Sequence, residues 1–117
     1  MKTIRIKRIY DEQAEDDGYR ILVDRIWPRG VSKEKANLDE WNKDIAPSTE
    51  LRKWFDHKEE RFEEFKLKYR NELKEKEEQL NELRKIANSE PISLLYAAKS
   101  PILNNAIVLK DVLEKGL

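Results

Sequence analysis

The sequence predicts an α/β fold: a small, largely parallel sheet flanked by helices, in one domain over residues 1–117. Three observations predict it. Tyr19-Arg-Ile-Leu-Val23 and Ile92-Ser-Leu-Leu-Tyr96 are short and almost continuously apolar, as strands covered on both faces are. The stretches between and after them carry helical spacing, and strands alternating with helices make parallel sheets. A chain of 117 residues supports one core, burying roughly two-thirds of the surface its unfolded form exposes.

The elements follow in order. Thr3 to Tyr10 alternates, with Ile4, Ile6 and Ile9 apolar and Arg5 and Lys7 on a wet face, which predicts a strand. Asp11 to Gly18 is acidic and ends in Asp-Asp-Gly, a turn signal. Its carboxylates are placed to neutralise the basic strand before it. Tyr19 to Val23 is the first buried strand, and Trp27-Pro-Arg-Gly30 forces a loop after it. Val31 to Asn37 predicts a short helix capped by Ser32, and the spacing of Leu38 to Ile45 suits a helix or an irregular edge strand, the strand preferred. Ser48 caps the next helix, whose apolar face is Leu51, Trp54 and Phe55.

Glu59 to Asn88 reads as helix, with one stripe at Phe62, Phe65, Tyr69 and Leu73 and another at Leu80, Leu83 and Ala87. A straight helix of this length would reach about 45 Å. A domain of this size has a radius of gyration of only about 13–14 Å. The spacing therefore predicts two helices with a break near 74–78, where no apolar residue occurs. Ile92 to Tyr96 is the second buried strand. The closing helix is predicted from Ile102 to Leu113, capped by Ser100.

Composition excludes several chemistries. There are no cysteines, so disulfides, thiolate catalysis, zinc–thiolate sites and iron–sulfur clusters have no ligands. The 24 basic residues equal the 24 acidic ones, which leaves no global attraction to nucleic acid or anionic lipid. Lys2, Arg5, Lys7 and Arg8 make a local basic strand, but no nucleic-acid-binding signature accompanies it. No apolar run approaches the roughly 20 residues of a membrane helix, and the alternating N-terminus does not read as a signal peptide. A cytoplasmic location is expected.

In parallel sheets ligands bind beyond the carboxyl ends of the strands. Two such ends carry polar groups. The first holds Asp24, Arg25, Trp27, Arg29 and Gly30, with Lys33 beyond. A carboxylate directly after a buried strand is costly to desolvate unless it is paired. Arginine forks fit carboxylate or phosphate, and Trp27 offers a stacking face. The bland alternative is an Asp24–arginine pair that merely ties the loop down. The second end holds Lys99, Ser100, Asn104 and Asn105 at the start of the last helix, where backbone N–H groups favour anions. His57, the one histidine, sits at a helix end and suits a helix-dipole role better than catalysis. No metal-ligand pattern occurs, and no cofactor is expected.

Four segments also carry a resemblance. Asp17-Gly-Tyr-Arg-Ile-Leu-Val-Asp-Arg-Ile-Trp-Pro-Arg-Gly30, Asp44-Ile-Ala-Pro-Ser48, Leu51-Arg-Lys-Trp-Phe55 and Leu94-Leu-Tyr-Ala-Ala-Lys99 resemble the YeaO-like branch of the domain-of-unknown-function 488 family. The resemblance covers essentially the whole chain. It implies a small bacterial or archaeal α/β protein and supplies no reaction. The wider family resembles this chain at the last strand and helix, but with Cys in place of Tyr96 and Cys-His-Arg in place of Asn104-Asn105-Ala106. Thiol or histidine chemistry at those positions is therefore closed to this sequence.

Two functional expectations result. One is a small anionic ligand on the rim formed by the 24–33 and 97–105 loops. Arg25, Trp27, Arg29, Lys33, Lys99, Asn104 and Asn105 would bind it there, and Asp24 is the candidate catalytic base, its pKa perturbed by the arginines. The other is a non-catalytic interaction module that binds a protein or a second copy of the chain. It would act through its charged helices or an apolar patch around Trp41 or Trp54.

Overall fold

Four strands form one sheet in the order β1-β4-β2-β3. They are β1 (Ile4–Arg8), β2 (Tyr19–Leu22), β3 (Glu40–Trp41) and β4 (Ile92–Tyr96), and every neighbouring pair is parallel. The computed structural model describes residues 2–117. The helices are α1 (Lys33–Ala36), α2 (Thr49–Phe55), α3 (Phe62–Leu73), α4 (Glu77–Ser89) and α5 (Asn105–Lys115). The two buried strands are the central pair: β4 lies between β1 and β2, and its residues are at most 3% exposed.

Strand alternation sorts the side chains to two unequal faces. Ile21, Val23, Leu94 and Tyr96 point to the larger face, where Phe65, Tyr69, Leu80 and Leu109 of α3, α4 and α5 cover them. Leu22 and Leu95 point to the smaller face, against Ala36, Trp27 and Trp41. A 3₁₀ turn at Lys74–Lys76 separates α3 from α4, where the apolar stripe lapses. With that break, the radius of gyration is 13.4 Å.

The connection from β1 to β2 must cross β4 without an α-helix. It does so over the smaller face and carries a buried ion cluster there. Asp17 is 1% exposed and Arg20 3%. The Asp17 carboxylate pairs with Arg20 at 2.6 Å and Lys7 at 3.0 Å, and also accepts from the Ala14 N–H. Ser93 Oγ on β4 donates to the Asp17 carbonyl, and the Arg20 guanidinium donates to the Ala36 and Asn37 carbonyls at the end of α1. Arg5 pairs with Asp16, so the acidic segment neutralises the basic strand, as its composition predicts.

Two boundaries differ from the sequence expectation. The last helix starts at Asn105, not Ile102, because Asn104 caps it by accepting from the Ile107 N–H. Ser100 instead closes the turn before it, accepting from the Ile102 and Leu103 N–H groups. Within Leu38–Ile45 only Glu40–Trp41 is strand. Ser32 and Ser48 cap α1 and α2 as expected.

Candidate functional site

β2 and β4 are parallel neighbours, so the loops that leave their carboxyl ends open on one rim. Asp24 joins them. Its carboxylate accepts from the Ala97 N–H at 2.9 Å and from Asn105 Nδ2 at 3.2 Å. Asn105 Nδ2 also donates to the Val23 carbonyl at 2.8 Å, which fixes the first turn of α5 to the end of β2. The Asp24 carbonyl accepts from Trp41 Nε1, which adds β3 to the junction. Asp24, through its half-buried side chain and its carbonyl, thus ties together the ends of β2, β3 and β4 and the start of α5.

The electrostatics of Asp24 differ from expectation. Burial pushes its carboxyl above the ordinary carboxylate value. The Ala97 N–H, the Asn105 amide and the charges of Arg52 and His57 oppose that rise without cancelling it. The arginines of its own loop do not set the direction. Arg25 is turned away, donating to the Pro47 and Ala46 carbonyls ahead of α2. Asp24 therefore forms no ion pair with Arg25 or Arg29, and the simple carboxylate–arginine tie is replaced by two neutral donors.

The remaining expected site residues divide into two groups. Trp27 and Asn104 are built into the scaffold. Trp27 Nε1 donates to the Val31 carbonyl, and its ring meets Trp41 edge-on at 5.1 Å. Asn104 is 2% exposed, with both ends of its amide engaged. Arg29, Lys33 and Lys99 are exposed, and among the described residues their side chains make no hydrogen bond or ion pair. It is the loops that meet, through Asp24, rather than these side chains.

Sequence reasoning missed two further groups whose charge bears on Asp24. Arg52 and His57 belong to α2 and its C-terminal turn, and both act on Asp24. Asp56 and His57 have φ of 49° and 54°, a left-handed pair that turns the chain back after α2. Non-glycine residues seldom adopt it. On the other side of the rim, Arg8 Nε and Nη2 donate to the Ala98 and Ala97 carbonyls. Its guanidinium lies 4.8 Å from the Tyr10 ring, and the Tyr10 hydroxyl donates to the Arg29 carbonyl. Alternation from a strand edge gives no signal for such contacts, because Arg8 and Ala98 are 90 residues apart.

A parallel-sheet α/β protein with a polar strand-end junction, and with neither cysteine nor a histidine at its last strand and helix, is the class these features define. The chain belongs to the inactive DUF488-N3 subclade, DUF488-N3i, whose family profile matches residues 3–117. It is 48% identical to Uncharacterized protein YeaO of Escherichia coli over 111 residues, 95% of this chain and 96% of that one. It is 41% identical to Uncharacterized protein Rv3073c of Mycobacterium tuberculosis over 111 residues, 95% of this chain and 93% of that one. No solved structure matches the chain.

Proposed function

We propose that this protein binds a small anionic ligand, without transforming it, on the rim between the 24–33 and 97–105 loops. The observation that carries the reading is the Asp24 junction. It draws two loops together that each present exposed cations with no carboxylate partner among the described residues: Arg29 and Lys33 on one, Lys99 on the other. Arg52 adds positive charge from α2. Elsewhere the exposed lysines of α3 are paired along the helix, as Lys66 is with Glu63 and Lys68 with Glu64.

The non-catalytic half of the reading has two supports. Asp24, the candidate base, has each carboxylate oxygen held by a donor fixed to the fold, which suits an organising role. The subclade is also described as inactive. In this reading Arg25, Trp27 and Asn104 hold the loops, Asn105 fixes the start of α5, and the exposed cations meet the ligand.

Isothermal titration of phosphate, sulfate and sugar phosphates into the intact chain tests the reading. Saturable binding is expected. Lys99→Ala and Arg29→Ala should each weaken it by about two- to fivefold, as loss of one exposed charge contact does. Lys68→Ala on α3 should not change it. Saturation by none of these anions would remove the proposal.

A second reading has its own observation. Tyr10, Ile26 and Ile102 are 46%, 57% and 64% exposed, and they sit on the loops after β1, β2 and β4. A protein partner, including a second copy of the chain, could use that end of the sheet. The patch around Trp41 or Trp54 does not serve, because Lys43 covers one ring and Arg61 and Lys68 cover the other. Sedimentation at rising concentration separates the readings: self-association abolished by Ile26→Ser and Ile102→Ser favours the second.

A further inference from the structure

The Asp24 carboxylate poses a problem for any anion on this rim, and the problem selects the anion. A carboxylate has about four lone-pair positions. Two of them accept from the Ala97 N–H and Asn105 Nδ2. The others remain on a half-buried side chain at the centre of the junction. A fully deprotonated oxyanion seated there brings like charge against like in a partly desolvated place. An oxyanion that still carries a hydrogen meets the same carboxylate as a donor, in a short charge-assisted O–H···O⁻ bond.

We propose, resting on the anion-binding reading above, that the ligand is a phosphate group bearing a proton, and that Asp24 accepts that hydrogen and so excludes sulfate. The groups around Asp24 fit this assignment. Arg52 and His57, on α2 and the turn after it, bear on the charge of Asp24, and neither donates a hydrogen bond to its oxygens, which accept from Ala97 and Asn105. Arg25, in its own loop, is committed to the Pro47 and Ala46 carbonyls. From α3, the Tyr69 hydroxyl is spent on the Ile45 carbonyl, and Glu72 accepts from the Ser48 N–H and hydroxyl. α5 contributes the neutral Asn105 and no charge. Besides Asn105, no side chain among the described residues donates a hydrogen bond to the Asp24 carboxylate. The burial that raises its proton affinity also favours a proton shared between Asp24 and ligand. No bond other than the hydrogen bond forms, and the proton is conserved between the two oxygens.

The test uses the intact chain and three probes: inorganic phosphate, glycerol 3-phosphate and sulfate, titrated calorimetrically at pH 7.5 and pH 5. Sulfate carries no proton at either pH. At pH 7.5 inorganic phosphate, which still carries a hydrogen there, should bind at least about tenfold more tightly than sulfate, the factor that one unmet hydrogen bond to a charged group gives. A phosphate ester, with a second pKa of about 6, is largely without that hydrogen at pH 7.5, so free phosphate and ester are compared at pH 5, where the tighter binder identifies the source. As pH falls from 7.5 to 5 the gap should narrow, because burial raises the proton affinity of Asp24 and its protonated form donates to sulfate. Asp24→Asn, whose amide donates, should bring phosphate and sulfate within about twofold at pH 7.5, a difference too small for a lost hydrogen bond. Lys68→Ala on α3, where Lys68 is paired with Glu64, should keep the wild-type preference.

Equal binding of phosphate and sulfate by the wild type at pH 7.5 would overturn the inference and leave the anion site standing. So would a preference that survives in Asp24→Asn. If that variant does not fold, the wild-type preference for phosphate over sulfate carries the test, and a preference that does not narrow from pH 7.5 to pH 5 overturns the inference. Binding of none of the three by wild type or Asp24→Asn at either pH would remove the site itself.

Discussion

Two buried aspartates, seven residues apart in sequence, have opposite pH signatures. Asp17 experiences burial first, which would raise its carboxyl, but the Ala14 N–H, Lys7 and Arg20 outweigh that and hold it below the ordinary value of 3.8. A depressed folded value contributes stability above the unfolded pKa, which is lost as pH falls through the folded value. Asp17→Asn should therefore cost about 3–5 kcal/mol at pH 7, since it strands Lys7 and Arg20. The deficit should shrink towards pH 3, read as urea midpoints. Asp24 is raised, so its contribution is fully present below 3.8 and lost as pH rises through the higher folded value. The midpoint of Asp24→Asn relative to wild type should accordingly climb between pH 3.5 and pH 7; a flat difference would show that Asp24 is not perturbed. Asp24 was legible in the sequence because a charge directly after Leu-Val in a buried strand is conspicuous. Asp17 was not. Nothing local distinguishes it from Asp16, which is exposed, and its partners come from β1 and β2 through a crossover that only the assembled sheet creates.

At the scale of elements, two glycines separate a packing demand from a conformational one. Gly18 and Gly30 have φ of 68° and 77°. A Cβ on Gly18 would run into the Pro91 carbonyl, which accepts the Tyr19 N–H and sets the start of β2 beside β4. A Cβ on Gly30 meets nothing. Gly30→Ala should cost about 1–2 kcal/mol, the penalty of a left-handed φ. Gly18→Ala should cost clearly more, because the central strand pair must part; equal losses of melting temperature would refute the distinction. The helix break at 74–78 was legible because length and charge both demanded it. The start of α5 was misread because Ser100 and Asn104 are both good caps, and Ile102 then looked like helical periodicity. In the fold Ile102 is 64% exposed and belongs to the loop. β3 was barely legible, since a two-residue strand at a sheet edge has no period to detect.

Across the whole molecule, the sheet hides its edges and leaves one end open. The outer edge of β1 is closed at both ends: the Lys2 N–H donates to the Ala87 carbonyl, and the Asp11 turn takes the Arg8 N–H and carbonyl. β3 at the other edge is two residues long. Such short edges discourage strand addition. The larger core lies behind β4 and β2, so amides of Ile92 to Tyr96 should exchange with solvent only through global unfolding, while those of 98–104 exchange through local opening. Exchange in β4 as fast as in that loop would contradict the layering. With no net charge, the chain offers no global attraction to anions, so the proposed anion binding depends on local charge at the strand-end rim.

The rim is tested most directly by following backbone amide resonances during a phosphate titration of the uniformly labelled protein. Saturable shifts are expected in residues 24–33, in 97–105 and at Arg52 and His57, with α4 unmoved. Shifts scattered over the lysines of α3 and α4, or a linear drift that never saturates, would contradict a built anion site at the end of β2 and β4.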